Sequence, residues 1–130
     1  MSARKRVTAY RERVRILQTL AHPARLRILL TLREVEACVC HLTTLLGERQ
    51  PYVSQQLGYL REAGLVDTHK VGLNVFYHVT EPRVFQFLDL LGELDSHWQR
   101  VPRGKTAILP TCPCPRCKTP ARELRDSAIR

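Results

Sequence analysis

Apolar positions along this 130-residue chain recur first at helical spacing, then at alternating spacing, and then at helical spacing again. Val14, Leu17, Leu20 and Ala21 share one face, which predicts a first helix over roughly residues 8–21. His22-Pro23 interrupts it, and Pro23 suits the first turn of the next helix, where its missing N–H would be unpaired anyway. Leu26, Ile28, Leu29, Leu30 and Leu32 make residues 24–33 apolar enough for a buried second helix. A short third helix is predicted from Val39 or Cys40 to Leu46, with Leu42, Leu45 and Leu46 inward and Gly47 as its stop. Pro51 opens a fourth over residues 51–63, ended by Gly64. Val53, Leu57 and Leu60 fall at i, i+4 and i+7 on its inner face. Tyr52, Ser54, Gln55, Gln56 and Tyr59 fall on its outer face, with no acid among them.

The period then drops to two. Residues 65–71 and 73–80 read as strands, with Val75, Tyr77 and Val79 alternating against Phe76 and His78, and Gly72 at the turn. His69 and His78 therefore belong to these strands, and His22 to the junction of the first two helices. Two helices joined by a tight Gly-Glu-Arg connection form a helix-turn-helix pattern, and a hairpin directly after it is a wing. A last amphipathic helix, residues 82–100, carries Val84, Phe85, Leu88, Leu91, Leu94 and Trp98 in one stripe, broadened by Phe87 and Leu90. That stripe is wider than one small core would use, so the first and last helices are expected to pair with a second copy. The fold expected is mainly α with a small β-hairpin, a winged helix-turn-helix assembled as a homodimer through its first and last helices. Three segments follow: a basic N-terminal arm running into the first helix (residues 1–15), the winged domain with its dimerisation helices (8–100), and a Pro/Cys-rich basic tail (101–130), read as extended.

The net charge of +9 sits at the two ends. Residues 1–15 carry six Lys/Arg against one acid, and residues 99–130 eight against two, whereas residues 16–98 carry seven against nine. Basic ends on a near-neutral core favour a polyanion such as DNA, because neutralising phosphates releases counterions. Solvated, solubilising tails are the plainer reading of the same charges. No apolar run approaches the ~18 residues of a membrane span, and residues 2–15 hold no signal-peptide core, so a cytoplasmic protein without a membrane partner is expected. In that compartment thiols stay reduced, and five clustered cysteines point to metal binding or reactivity over disulfide staples. The clusters are Cys38 with Cys40, and Cys112 with Cys114 and Cys117. Neither a Gly-rich phosphate loop nor a nucleophile motif with its base is present, so a hydrolase or transferase is the least supported class and no enzyme is expected.

Three segments in order resemble the ArsR/SmtB family of metal-sensing repressors: Leu20-Ala-His-Pro-Ala-Arg-Leu-Arg-Ile-Leu29, Cys38-Val-Cys-His-Leu42, and Tyr52-Val-Ser-Gln-Gln-Leu57 continuing into Leu60-Arg-Glu-Ala-Gly-Leu-Val66. The resemblance covers residues 10–100. It implies a homodimer that holds operator DNA without a cofactor and lets go when an inducer binds. In the family docking mode the fourth helix enters the major groove. Gln55 and Gln56 then face adenine edges and Ser54 a base or phosphate, while Tyr52 and Tyr59 reach phosphates through their hydroxyls. Arg49, Arg61 and Lys70 steady the register on the DNA backbone, positioning more than specifying sequence, and Gln50 completes the expected DNA contacts. For Tyr59, packing at the helix edge is an equal alternative. The chain also departs from the family. Thr43 stands where some members place a third thiol, and Leu73-Asn74 where many place a wing arginine. The zinc site that some members build on the last helix falls on Glu81, Arg83, Leu94 and His97, of which Arg83 and Leu94 cannot bind the ion.

Residues at i and i+2 do not face each other on a regular helix, so Cys38 and Cys40 converge only if Cys38 precedes the helix. A helix N-terminus also stabilises thiolate, the ligating form. Soft thiolates select Zn(II), Cd(II), Pb(II) or Cu(I), and the resemblance adds As(III) and Sb(III). The preferred site joins Cys38 and Cys40 to one or two tail thiols, Cys112 and Cys114 ahead of Cys117. The thirteen residues from Gln99 to Cys112 reach at most about 45 Å. As(III) and Cd(II)/Pb(II) are expected ahead of Zn(II). A self-contained tail site at Cys112, Cys114 and Cys117 competes, as do a thiol redox-sensing repressor and a constitutive DNA-binding protein whose tail holds structural zinc. His41, beside the thiols, is expected to cap the helix or face solvent.

Overall fold

Two glycines and two prolines set the corners of this chain. In the computed structural model, which describes residues 3–95, the order is α1 (Ala3–Leu20), α2 (Pro23–Glu34), α3 (Val39–Leu46), α4 (Gln50–Glu62), β1 (Val66–Val71), β2 (Asn74–Val79) and α5 (Arg83–Glu93). Pro23 opens α2 behind His22, whose Nδ1 accepts from the Ala24 N–H at 3.2 Å, so the junction histidine is an N-cap. Gly47 ends α3 in the left-handed region at φ 68°, and its N–H returns to the Thr43 carbonyl at 3.0 Å. Gly72, at φ 62°, takes the first position of a two-residue hairpin turn that sets Val71 opposite Asn74.

The core lies where α2, α3, α4 and the hairpin meet. Ile28, Leu29, Leu42, Val53, Leu57, Leu60, Val66, Phe76 and Leu88 are its fully buried members. The inner faces expected for α2 and α4 are thus confirmed, while Leu26, Leu30 and Leu45 are half-buried. Arg27 of α2 donates to the carbonyls of Leu46 at 3.3 Å and Leu45 at 3.0 Å, closing the end of α3 that has no intrahelical donors.

Three features differ from expectation. First, α1 begins at Ala3 instead of residue 8, so the basic segment is helical, with the Thr8 hydroxyl donating to the Arg4 carbonyl at 3.0 Å. Second, α5 ends at Glu93 and Leu94 lies in a turn. Gly92 weakens the helix there, and the last N–H groups, of Leu94 and Asp95, bond three residues back, to Leu91 and Gly92. Trp98 and the tail, with Cys112, Cys114 and Cys117, lie outside the described residues. Third, the α2–α3 connection joins the sheet: Ala37 bridges Tyr77 on the free edge of β2, with N–H···O distances of 2.8 and 3.2 Å.

Along α1, Val7, Tyr10, Val14 and Leu17 form a stripe exposed to solvent. Phe87, Leu90 and Leu91 of α5 and Leu94 just after it are exposed as well. No helix among the described residues is long and apolar enough to cross a membrane.

Candidate DNA interface and thiol site

The outer face of α4 is organised from beneath by one arginine. With Val53, Leu57 and Leu60 buried, the helix presents Gln50, Ser54, Gln55, Tyr59 and Arg61 to solvent, with Arg49 exposed at its N-cap and Lys70 exposed on β1. Tyr52 is half-buried and its ring lies 6.4 Å from that of His22. Gln56 departs from the expected outer face: it is only 4% exposed, and its Oε1 accepts from Arg25 Nε at 2.9 Å. The buried amide is tolerated because α2 supplies a charged donor to it. The same guanidinium lies 4.5 Å from the Tyr59 ring centroid, and it also donates to the Thr19 carbonyl of α1 at 3.1 Å. Arg25 therefore ties α1 and α2 to α4, a role that sequence reading missed because the bond to Gln56 spans 31 positions.

Above it, the Tyr59 hydroxyl accepts from Gln55 Nε2 at 3.3 Å, so the Tyr59 ring packs at the helix edge while its hydroxyl stays on the polar face. Arg61 Nε lies 3.3 Å from Asp67, an exposed pair that a phosphate could replace at small cost.

The first thiol cluster stands at the start of α3. Cys38 is the N-cap, with extended backbone (φ −81°, ψ 165°), and Cys40 follows in the first turn. The two Sγ atoms are 2.8 Å apart; Cys38 is buried and Cys40 exposed. The convergence that required Cys38 to precede the helix is thus present. The pair faces the partial positive charge of the α3 N-terminus and has one side open to solvent. His41 does not face solvent. It is 6% exposed, and burial pushes its imidazole below the usual histidine range, favouring the neutral form. Thr43 spends its hydroxyl on the Val39 carbonyl at 2.7 Å. From this site to α4 the path is short, since Leu42 and Leu46 of α3 share one core with Val53 and Leu57.

The positions for zinc on the last helix behave as their residue types dictate. Arg83 donates to both Glu81 oxygens at 2.7 Å and holds that carboxyl down at about 2, so Glu81 is a carboxylate paired with a guanidinium. Leu94 is exposed, and His97 lies outside the described residues.

Residues 22–68 match the family described as bacterial regulatory protein, arsR family. A biofilm growth-associated repressor from Agrobacterium fabrum is 46% identical over 76 residues, 58% of this chain and 65% of that protein's length. The structure of reduced HlyU from Vibrio cholerae superposes with a TM-score of 0.62 at 33% identity, covering 71% of this chain and 97% of that one. This chain belongs to the ArsR/SmtB family. Another relative, the arsenic resistance transcriptional regulator ArsR1 of Pseudomonas putida, is 40% identical over 85 residues, 63% of this chain and 66% of that protein. As a member of the ArsR/SmtB family, the chain has among its described residues the five helices and two-stranded antiparallel hairpin of the winged helix-turn-helix, and the proteins it resembles are regulators of transcription and not enzymes.

Proposed function

We propose that this chain is a transcriptional repressor that binds operator DNA as a homodimer and releases it when a thiophilic ion binds Cys38 and Cys40. The observation that carries the reading is the pair of thiols 2.8 Å apart at the N-cap of α3, on a helix that shares its core with α4. Arg49, Gln50, Tyr52, Ser54, Gln55, Tyr59, Arg61 and Lys70 are the DNA contacts of this proposal. Gln56 acts beneath them by holding Arg25. A third or fourth sulfur comes from Cys112, Cys114 or Cys117, which suits pyramidal As(III) with three thiolates or tetrahedral Cd(II) or Zn(II) with four. The relative named for arsenic resistance supports placing As(III) first.

Release needs a difference in free energy. An ion that lowers operator affinity must bind the DNA-free dimer more tightly by the same factor, typically about 1–3 kcal/mol. Drawing Cys38 and Cys40 around an ion strains the first turn of α3, and Leu42 and Leu46 pass the displacement to α4 and its spacing from the partner's copy.

Fluorescence anisotropy of a labelled operator under strict reduction tests this, with As(III) and Cd(II) as titrants. The reading requires displacement by at least one of them, together with thiolate-to-metal absorption. A sulfur count by X-ray absorption then separates the three-coordinate from the four-coordinate ion.

The 2.8 Å separation also favours a second reading, in which a peroxide oxidises the two thiols to a disulfide and so releases DNA. That reading predicts release by peroxide, reversed by dithiothreitol, and none by metal under reduction.

A further inference from the structure

Three side chains on the wing and the strand-like segment beside it form a cluster that the thiol site does not use. In the antiparallel register His69 of β1 lies opposite Phe76 and His78 of β2 lies opposite Asp67, so the two histidines are diagonal neighbours on one face. Their rings are 5.4 Å apart between centroids, and their Nδ1 atoms are 3.5 Å apart. On the far edge of β2, the Ala37–Tyr77 bridge brings the α2–α3 connection alongside. Extending that bridge by one residue sets Glu36 opposite His78, and a Glu36 oxygen lies 3.2 Å from His69 Nε2. Three neighbouring chain segments thus deliver one carboxylate and two imidazoles to a single face. One ligand atom from each residue lies within 4.8 Å of the other two, and all three residues are half-buried.

We propose that Glu36, His69 and His78 form a second metal site, for a borderline divalent ion of the Zn(II) class. In a tetrahedral Zn(II) site with bonds of roughly 2.0–2.1 Å, ligand atoms stand about 3.3 Å apart. The 3.2 Å between His69 Nε2 and the Glu36 carboxylate already matches that edge, whereas the 3.5 Å contact to His78 uses the other His69 nitrogen, so a ring rotation within the 4.8 Å cluster is what brings one nitrogen of each histidine to the carboxylate. The donor set selects the ion: imidazole with carboxylate suits Zn(II), Ni(II) or Cu(II), whereas As(III) and Sb(III) call for thiolates. Three protein ligands leave the fourth position to water, which the half-exposed setting supplies. A bound ion cross-links both wing strands to the connection that enters α3, with its carboxylate ligand two residues before Cys38. The site does not depend on the thiol reading and can be tested without DNA.

The test uses the full chain with all five cysteines replaced by serine, so that no thiol contributes. Zn(II) is titrated by calorimetry, and Co(II) reports the ligand type by absorption. The proposal predicts one ion bound by each chain, d–d absorption without a thiolate charge-transfer band, and a raised Tm with Zn(II). His69→Gln, His78→Gln and Glu36→Gln should each weaken binding by about tenfold or more, with far-UV circular dichroism unchanged. In the unsubstituted chain, Zn(II) should shift the side-chain NMR signals of His69 and His78 and leave those of His22 in place, a readout that needs no variant to fold. Absence of uptake, uptake indifferent to these three substitutions, or NMR shifts confined to other histidines overturns the proposal and leaves only a hydrogen-bonded histidine–carboxylate contact.

Discussion

Gln55 and Gln56 are adjacent and chemically identical, yet the fold uses them for different purposes. Gln55 is exposed beside the Tyr59 hydroxyl, while Gln56 is buried against Arg25. Replacing Gln56 by Ala removes the acceptor from a guanidinium that also engages Tyr59 and α1, and should cost about 1–3 kcal/mol in urea unfolding. Replacing Gln55 by Ala should leave stability within about 0.5 kcal/mol and weaken operator binding in a way that depends on the operator sequence. If Gln56→Ala instead left stability unchanged and altered base preference, the buried assignment would be wrong. Position 56 stands at i+3 from Val53 and next to Leu57 on the inner stripe, and it reads as outward only because an amide ranks as polar. Only the donor supplied by Arg25, far away in sequence, makes its burial tolerable. Cys38 was more legible, since its spacing from Cys40 already required it to stand ahead of the helix. His41 was less so, because a histidine beside two cysteines gives no sign in sequence of which way its ring turns.

Elements bounded by proline or glycine were readable to within about a residue, because those residues act locally. The limits of α2, α3, α4 and the hairpin follow from Pro23, Gly47, Pro51 and Gly72. At the start of α1, where no such punctuation stands, and at the end of α5, where Gly92 reads as lying inside the helix, the expected boundaries were several residues off. The bridge of Ala37 to Tyr77 was invisible, since a single-residue pairing across forty positions leaves no periodic trace. Gly47 offers a test at this scale. A Cβ there meets nothing within 4 Å, so Gly47→Ala should destabilise through its φ of 68° alone, by about 1–2 kcal/mol. Thermal unfolding checks the figure, and a loss much larger than this would mean the turn holds the α3–α4 angle by contacts as well.

Across the whole molecule, charge and apolar surface are segregated. Eight of the exposed large apolar residues, Val7, Tyr10, Val14, Ile16, Leu17, Phe87, Leu90 and Leu91, lie on α1 and α5 and are exposed among the described residues. A second copy of the chain is the cover this account expects. Sedimentation of a Leu17→Glu, Leu90→Glu variant should show a monomer with helical content retained, and a persisting dimer would place the interface elsewhere. The helical basic segment of α1 and the basic C-terminal region predict operator affinity that falls steeply with salt, with each phosphate contact adding about 0.9 to the slope of log K against log salt.

The central claim is that occupation of the thiols at the mouth of α3 is coupled to release of DNA by α4. Its most direct test is operator binding by the Cys38→Ser, Cys40→Ser variant, compared with the unsubstituted chain across an As(III) and Cd(II) titration under reducing conditions. The account predicts equal affinity for the two proteins without metal, release of the unsubstituted dimer, and a variant that stays bound throughout. Release of the variant at the same ion concentrations would contradict it, and would assign the response to the tail cysteines alone.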